Sequence, residues 1–449
     1  DLNELVLKKK YLKLQSYLPS EIQEIKFQKH KVIFNYEKDK FDIKGVGNIL
    51  LGNEIDSMSY QIIKDKNNFL FDSKIKLKNS SLSIDFLDYE KKASLSSLIS
   101  IKGKFRKNKK IKFDFINLKE KNNEISIKGL VLDNDFKIID INNFNMNFKN
   151  NKNILNKLNL KKNNSNFILE GESFDASKII NSIMDSDDES PSVFQNLNSN
   201  IIIKIKKTYI DEINYMDNLN GNINFDKNKI NELKIESTFL NNKKINLSIK
   251  TNNESETITK LSSSYPKPII KRFDFIKGFE EGYLDFYSSK KNGISNSVLI
   301  INNFKVKEVP VFAKILGLAS LQGIADLLTG EGIRFTNFEM NFSNNKDLII
   351  IDEMYAIGPA VSILMDGYIE TNKLVSLRGT LVPATTINKS IASIPLLGKI
   401  LIGEKTGEGV FGVSFKIKGP SKNLKTTVNP IKSLTPRFIT RTLEKIKNN

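Results

Sequence analysis

FLFDSKIKL, residues 69–77, sets Phe69, Phe71, Ile75 and Leu77 against Asp72, Lys74 and Lys76 with a period of two. Successive side chains of an extended strand point to opposite faces, so the stretch reads as a strand with one apolar and one wet side. The pattern returns in LSIDF (82–86: Leu82, Ile84, Phe86) and IKFDF (111–115: Ile111, Phe113, Phe115). It recurs in FNMNF (144–148), INLSI (245–249), FEMNF (338–342) and FGVSFKI (411–417). Asn, Asp, Lys and Gly fill the joints, as in KNNE (121–124), DND (133–135) and FDKNKI (225–230), which is turn chemistry. The sequence therefore predicts a mostly β fold: a long, twisted antiparallel sheet, curled into a groove, with one face buried and one solvated. Phe69, Phe71, Ile75, Leu77, Ile84, Phe86, Ile111, Phe113 and Phe115 are the expected groove-lining residues.

The alternation runs from about residue 25 to residue 305. It is broken by DASKIINSIM (175–184), where Asp175 suits an N-cap and Ala176, Ile179, Ile180, Ile183 and Met184 fall at helical spacing. The acidic loop DSDDESPS (185–192) follows. Pro/Gly/Ser-rich joints are few, which favours one extended sheet over a row of β-sandwiches. Roughly twenty strands stacked about 4.8 Å apart would make a sheet on the order of 100 Å long. Three regions are expected: groove repeats over 1–169, their continuation over 170–305, and a C-terminal region over 306–449 with short amphipathic helices.

The chain has 449 residues and a formal charge of +18. Its lysines are spread along the chain with Asn and Ile, so composition explains the charge, and no basic stripe with interleaved aromatics marks a nucleic-acid surface. The absence of cysteine excludes disulfides, thiolate metal sites and Cys nucleophiles. A single histidine, His30 in FQKHKVIF (27–34), cannot build a His-ligated metal cluster and is read as structural. No cofactor or metal is expected. No stretch of about 18 apolar residues free of charge predicts a transmembrane helix. The chain opens on Asp1, and a longer parent protein is expected.

Two stretches break the strand pattern toward the C-terminus. In VPVFAKILGLASLQGIADLLTGEG (309–332), Pro310 suits a first helical position. Phe312, Ile315, Leu316, Leu321, Ile324, Leu327 and Leu328 spread over most of a helical wheel, with Lys314 and Asp326 in one narrow sector. Those charges disfavour spanning a bilayer, so the helix (310–328) is expected to pack on the sheet's apolar face or lie in a lipid interface. INKSIASIPLLGKILIG (387–403) is interrupted by Pro395 and carries Ile394, Leu396, Leu397, Ile400 and Leu401, giving two helical pieces over 387–402.

Catalytic motifs fail on context. Gly407, Gly409 and Gly412 spell G-x-G-x-x-G, but an apolar helix precedes them and a strand follows, the reverse of the dinucleotide fingerprint. GKILIGEKT (398–406) places Glu404 where a P-loop needs lysine. No carboxylate pair sits in a recognisable catalytic setting, and no enzymatic activity is expected.

The final third carries a resemblance. VPVFAKILGLASLQGIADLLTGEGIRF, YAIGPAVSILMDGYIE, LRGTLVPATTIN, IPLLGKILIG, GEGVFGVSFKIKGP and VNPIKSLTPRFITR resemble, in that order, the C-terminal region of the AsmA-like envelope proteins. Within that group of AsmA, TamB and YhdP, the likeness is to the YhdP-type and alphaproteobacterial members. It covers about residues 270–441 and extends more faintly to GESFDASKII (171–180). Thr385 stands where the family often has an aromatic, and Arg437 where a glycine often follows the closing proline. The resemblance implies a periplasmic, non-enzymatic protein of a Gram-negative envelope, anchored in the inner membrane by an N-terminal segment. Such a protein would carry phospholipid between inner and outer membranes along an apolar β-groove, with other envelope proteins as further partners. The two apolar stretches would cap the groove or touch the membrane. A structural or assembly factor for outer-membrane biogenesis, its trough filled, is the alternative. An adhesin-like array of closed sandwiches is a third.

Overall fold

The structure, a computed structural model, describes residues 1–8, 22–38, 40–84, 87–106, 110–134, 136–178, 180, 199–226, 229–271, 277–308, 315, 332–371, 373–383, 412–420 and 423–431. The protein is mostly β, built of curled but open sheet. It divides into two compact units, Asp1–Leu240 and Asn241–Asn449. Residues 170 and 306, where the expected regions meet, lie inside the strands Asn166–Asp175 and Ile294–Glu308. A sheet that grows strand by strand needs no linker, so composition leaves no mark where the two units meet in the sequence.

The first unit contains β1 (Leu2–Lys8), β2 (Glu24–Glu37), β3 (Lys40–Leu51), β4 (Glu54–Asp65), β5 (Asn68–Leu77), β6 (Leu82–Ile84), β7 (Tyr89–Lys91), β8 (Ser97–Arg106) and β9 (Ile111–Glu120). It continues through β10 (Asn123–Leu132), β11 (Ile138–Asp140), β12 (Asn143–Lys149), β13 (Leu155–Asn163), β14 (Asn166–Asp175), β15 (Ser199–Tyr209), β16 (Tyr215–Asp226) and β17 (Lys229–Phe239). Strands pair in chain order with two exceptions: β6 and β7 form a separate two-stranded ribbon inserted between β5 and β8, and the short β11 and β12 both pair with β10. The expectation of an all-antiparallel sheet is corrected at one joint. β14 and β15 run parallel, from Phe167 opposite Ile201 to Asp175 opposite Tyr209. A parallel pair requires a crossover of a dozen or more residues back to the starting end, and the segment between Asp175 and Ser199 is long enough. The helix expected at 175–184 begins there. The Ser177 N–H donates to Asp175 Oδ1 at 3.0 Å and the Ile180 N–H to the Ala176 carbonyl at 2.9 Å. Residues 181–198, with the acidic loop, lie outside the described residues.

The second unit is an antiparallel sheet of β18 (Lys243–Thr251), β19 (Thr257–Ser263), β20 (Lys277–Lys291), β21 (Ile294–Glu308), β22 (Ile333–Asn345), β23 (Leu348–Ile357), β24 (Val361–Glu370), β25 (Leu374–Pro383), β26 (Gly412–Gly419) and β27 (Lys425–Ile431). Its two ends differ. At one end tight turns join the strands, as where Asn292 and Gly293, at φ 54° and 80°, connect β20 to β21 in the left-handed conformation a two-residue hairpin needs. At the other end β21 hands over to β22 and β25 to β26 through 309–332 and 384–411, the links that carry the two apolar stretches. Because neighbouring strands alternate in direction, both links leave from the same end of the sheet.

The core of this unit lies at that same end. Phe279, Phe304 and Phe335 stack with ring centroids 5.3 and 5.2 Å apart. Ile333, Val361, Leu381 and Val413 are fully buried around them. Ile315 is the described residue of the helix expected over 310–328; it is helical and fully buried in this cluster. Phe312, Leu316, Leu321, Ile324, Leu327, Leu328, Ile394, Leu396, Leu397, Ile400 and Leu401 lie outside the described residues, as do Gly407 and Gly409. Gly412 opens β26, a strand and not the helix a dinucleotide loop requires. Replacing Phe304 with alanine removes the middle ring of the stack. We expect it to destabilise the protein by about 3–5 kcal/mol, read as a lowered denaturant midpoint.

Candidate functional site

Residues paired across strands point to the same side of a sheet, so the registers define rows running at right angles to the strands. In the first unit one row reads Val32, Gly45, Tyr60, Ser73, Ile101, Ile116, Ile127, Phe144, Leu160, Leu169, Ile203, Gly221 and Ile235. No charge interrupts it. A parallel row reads Met58, Ile75, Ile99, Leu118, Ile125, Met146, Leu158, Gly171, Ile205 and Leu219. The opposite face is wet: Asn145, Asn159, Glu170, Lys204, Asn220 and Glu236 form one of its rows. In the second unit Leu247, Leu261, Phe286, Leu299, Met340, Met354, Met365, Gly379, Phe415 and Val428 cross all ten strands. Each unit thus carries an unbroken apolar face.

Burial is graded across that face. In the second unit the row through Leu284, Ile301, Phe338, Ala356, Ile363, Leu381 and Val413, on the side of the long links, is buried except at Phe338, which is half-buried. The central row is half-buried except at Phe415. In the first unit Leu118, Ile125, Met146 and Leu158 are buried, whereas Ile101, Ile116, Ile127, Phe144, Leu160 and Leu169, one row away, are half-buried. Among the described residues no second sheet lies over either face, apart from the β6–β7 ribbon.

The ribbon covers one margin of the first unit's apolar face. Tyr89 is buried and sets its ring edge-on to Phe148 at 5.1 Å, and its hydroxyl donates to Glu120 Oε2 at 2.7 Å. Glu120 and Phe148 both lie on the apolar side, two residues beyond Leu118 and Met146 along their strands. Lys91 is fully buried, with Nζ donating to the carbonyls of Ser80 and Lys78. The Asp56 carboxylate accepts the N–H groups of Lys78, Asn79 and Ser80 at 2.7–2.9 Å. Asp88, in the ribbon's turn, accepts from Asn150 Nδ2 at 3.0 Å and pairs with Lys178 at 2.7 Å. Asp175 accepts from Asn150, Ser177 and Lys152.

These groups titrate away from their ordinary values. Burial, reinforced by Glu120, raises Tyr89. Burial lowers Lys91 against the opposing pull of Asp56 and Glu120. In Asp56 and Asp175 burial pushes upward, but the donated hydrogen bonds outweigh it and hold both carboxylates below their usual value.

The predicted lining residues fall into three sets. Phe69, Phe71, Ile75, Leu77, Ile111 and Phe113 share the apolar side; Phe71 meets Phe105 and Phe113 at 6.3 and 5.6 Å. Phe115 does not share it. A bulge between β8 and β9 puts Gly103 opposite Phe113 but Lys102 opposite Phe115, so Phe115 joins the wet face and Ile116 takes over. Ile84 is also corrected: it pairs with Tyr89 in the ribbon and not with the sheet. Phe86 lies outside the described residues. His30 is buried between the rings of Phe27 and Tyr60, with Nε2 2.9 Å from the Asn48 carbonyl, a packing role. Sequence reasoning missed Asp56, Tyr89, Lys91 and Glu120; their spacing carries no motif, and only the fold brings them together.

Comparison with protein-family models, curated proteins and solved structures gave no match. Among the described residues no group of His, Asp or Glu is placed to hold a metal, and no helix is long and apolar enough to cross a membrane.

The ribbon latch makes a pH prediction. A carboxylate whose folded value is depressed stabilises the fold above its unfolded value, near 3.8, and loses that contribution as pH falls through the folded value. Asp56→Asn should therefore cost about 1–3 kcal/mol at neutral pH and flatten the acid limb of stability against pH. An unchanged limb in thermal melts would show that Asp56 does not hold the ribbon.

Proposed function

We propose that the chain is a non-enzymatic carrier that holds phospholipid acyl chains on the apolar faces of its sheets. It would work in the manner of the AsmA-like envelope proteins that its C-terminal third resembles, between inner and outer membranes. The observation that carries this reading is the uninterrupted apolar row across consecutive strands, half-buried rather than packed under a second layer. A row of this kind offers acyl chains a continuous path with no charge to cross, and burying methylenes on it yields about 0.8 kcal/mol each. The wet face and the strand ends leave head groups in water.

The filled-trough alternative draws support from the margins, where Ile315 and the β6–β7 ribbon close the apolar face. The central rows do not fit it. The reading therefore assigns lipid to the central rows and a structural part to the covered margins.

The two faces of the first unit's sheet supply the test, one at β5 and the other at β9. Phe71→Asp places a charge on the apolar face, and Phe115→Asp places the same charge on the wet face. Organic extracts of the purified protein, read by mass spectrometry, should contain phospholipid for the parent chain and for Phe115→Asp, and several-fold less for Phe71→Asp. Extracts free of phospholipid in all three, or equal loss in both variants with intact circular dichroism, would refute the assignment.

A further inference from the structure

The chain has seven methionines, and three of them stand side by side. Met340 of β22 pairs with Met354 of β23, and Met354 pairs with Met365 of β24. They occupy the middle of the apolar row that crosses the second unit, between Leu299 on one side and Gly379 and Phe415 on the other. All three are half-buried. The flanking rows are apolar as well: Phe338, Ala356 and Ile363 toward the long links, and Phe342, Ile351 and Gly367 away from them. The other described methionines are placed differently. Met146 and Met216 are 1% and 7% exposed, and Met58 stands by itself between Gly47 and Ile75. Leucine, isoleucine or phenylalanine line the same rows elsewhere. What methionine adds is a polarisable sulfur that accepts oxygen.

We propose that Met340, Met354 and Met365 are an oxidation site that closes the second unit's apolar face to acyl chains. The inference rests on the carrier reading above. A peroxide delivers one oxygen to each thioether: a sulfur lone pair forms the S–O bond, the O–O bond breaks, and the displaced oxygen leaves as water. The sulfoxide is polar and chiral where the thioether was flexible and apolar. With strands about 4.8 Å apart, three sulfoxides make a polar bar about 10 Å wide across the middle of the face. An acyl chain laid along the row would strip their oxygens of water, and the flanking side chains offer no donor in exchange. The row then no longer runs from strand to strand without a polar group. A single sulfoxide at Met58 would interrupt the first unit's face at one strand only. Closure is reversible. A dithiol-dependent sulfoxide reductase restores the thioether, with the oxygen leaving as water and the dithiol ending as a disulfide.

The test treats the whole chain with hydrogen peroxide and then mixes it with vesicles of phosphatidylglycerol that carries a photoreactive diazirine on one acyl chain. Peptide mass spectrometry should find an added oxygen at Met340, Met354 and Met365 well before Met146 and Met216. After illumination, lipid adducts on peptides of β20–β26 should fall several-fold against the untreated chain, and those on β8–β16 should stay. The variant M340L/M354L/M365L keeps the row apolar at nearly the same volume, so its adducts should survive the treatment. M340Q/M354Q/M365Q, polar and of similar length, should lose the β20–β26 adducts without oxidant and with unchanged circular dichroism. Oxidation of Met146 and Met216 as early as the triad, undiminished β20–β26 adducts with all three sulfoxides in place, or equal loss in the leucine variant would overturn the site. An untreated chain with no adducts in either unit would refute the carrier reading itself, and this use of the triad with it.

Discussion

Register is the constraint on which this molecule rests. In a ladder with a two-residue period, a slip of one position between neighbours turns every later side chain of the second strand to the other face. An apolar row that crosses thirteen strands in the first unit, as from Val32 to Ile235, demands that each hairpin be in phase or that each bulge be compensated. The compensation is visible. At β9 the doublet Phe115–Ile116 spends one apolar residue on the wet face and resumes the row with Ile116 and Leu118. At β23 the ladder slips between Ile351 and Met354, and Met354 and Ala356 take up the face that Ile351 leaves.

Much of this was legible in the residues. Alternation in FLFDSKIKL, FNMNF and FEMNF fixes strands and faces because burying one side of an extended chain leaves the sequence no other economical pattern. What the pattern could not reveal was its own change of phase. Phe115 continues the alternation of IKFDF, and only the adjacent Ile116 hints that the phase resets. Ile84 alternates as well as Phe71 does, yet it belongs to a ribbon, because three residues of strand look the same wherever they pair. The parallel joint between β14 and β15 was hidden for another reason: the direction of a strand leaves no trace in its composition.

The covered margins show how an apolar face is kept from becoming a liability. A broad exposed apolar strip invites aggregation. Here one margin of the first unit's face is closed by the β6–β7 ribbon, and Ile315 packs into the buried end of the second unit's face. The ribbon of the first unit is held by buried polar groups that are each satisfied: Asp56 by three N–H donors, Lys91 by two carbonyls, Tyr89 by Glu120. Such a network adds modest net stability but heavily penalises any shift, since a displaced partner leaves a buried charge alone. The ribbon is therefore fixed in position more firmly than its few apolar contacts would fix it.

The joint between β14 and β15 bears on how such a chain could lengthen. A simple meander can gain strands only in pairs, because one extra hairpin arm would reverse the heading of everything downstream. A crossover between two strands of the same heading absorbs the odd member. A block of strands that ends in this joint could be duplicated in tandem, and each later strand would keep its heading, its faces and the side on which its links emerge.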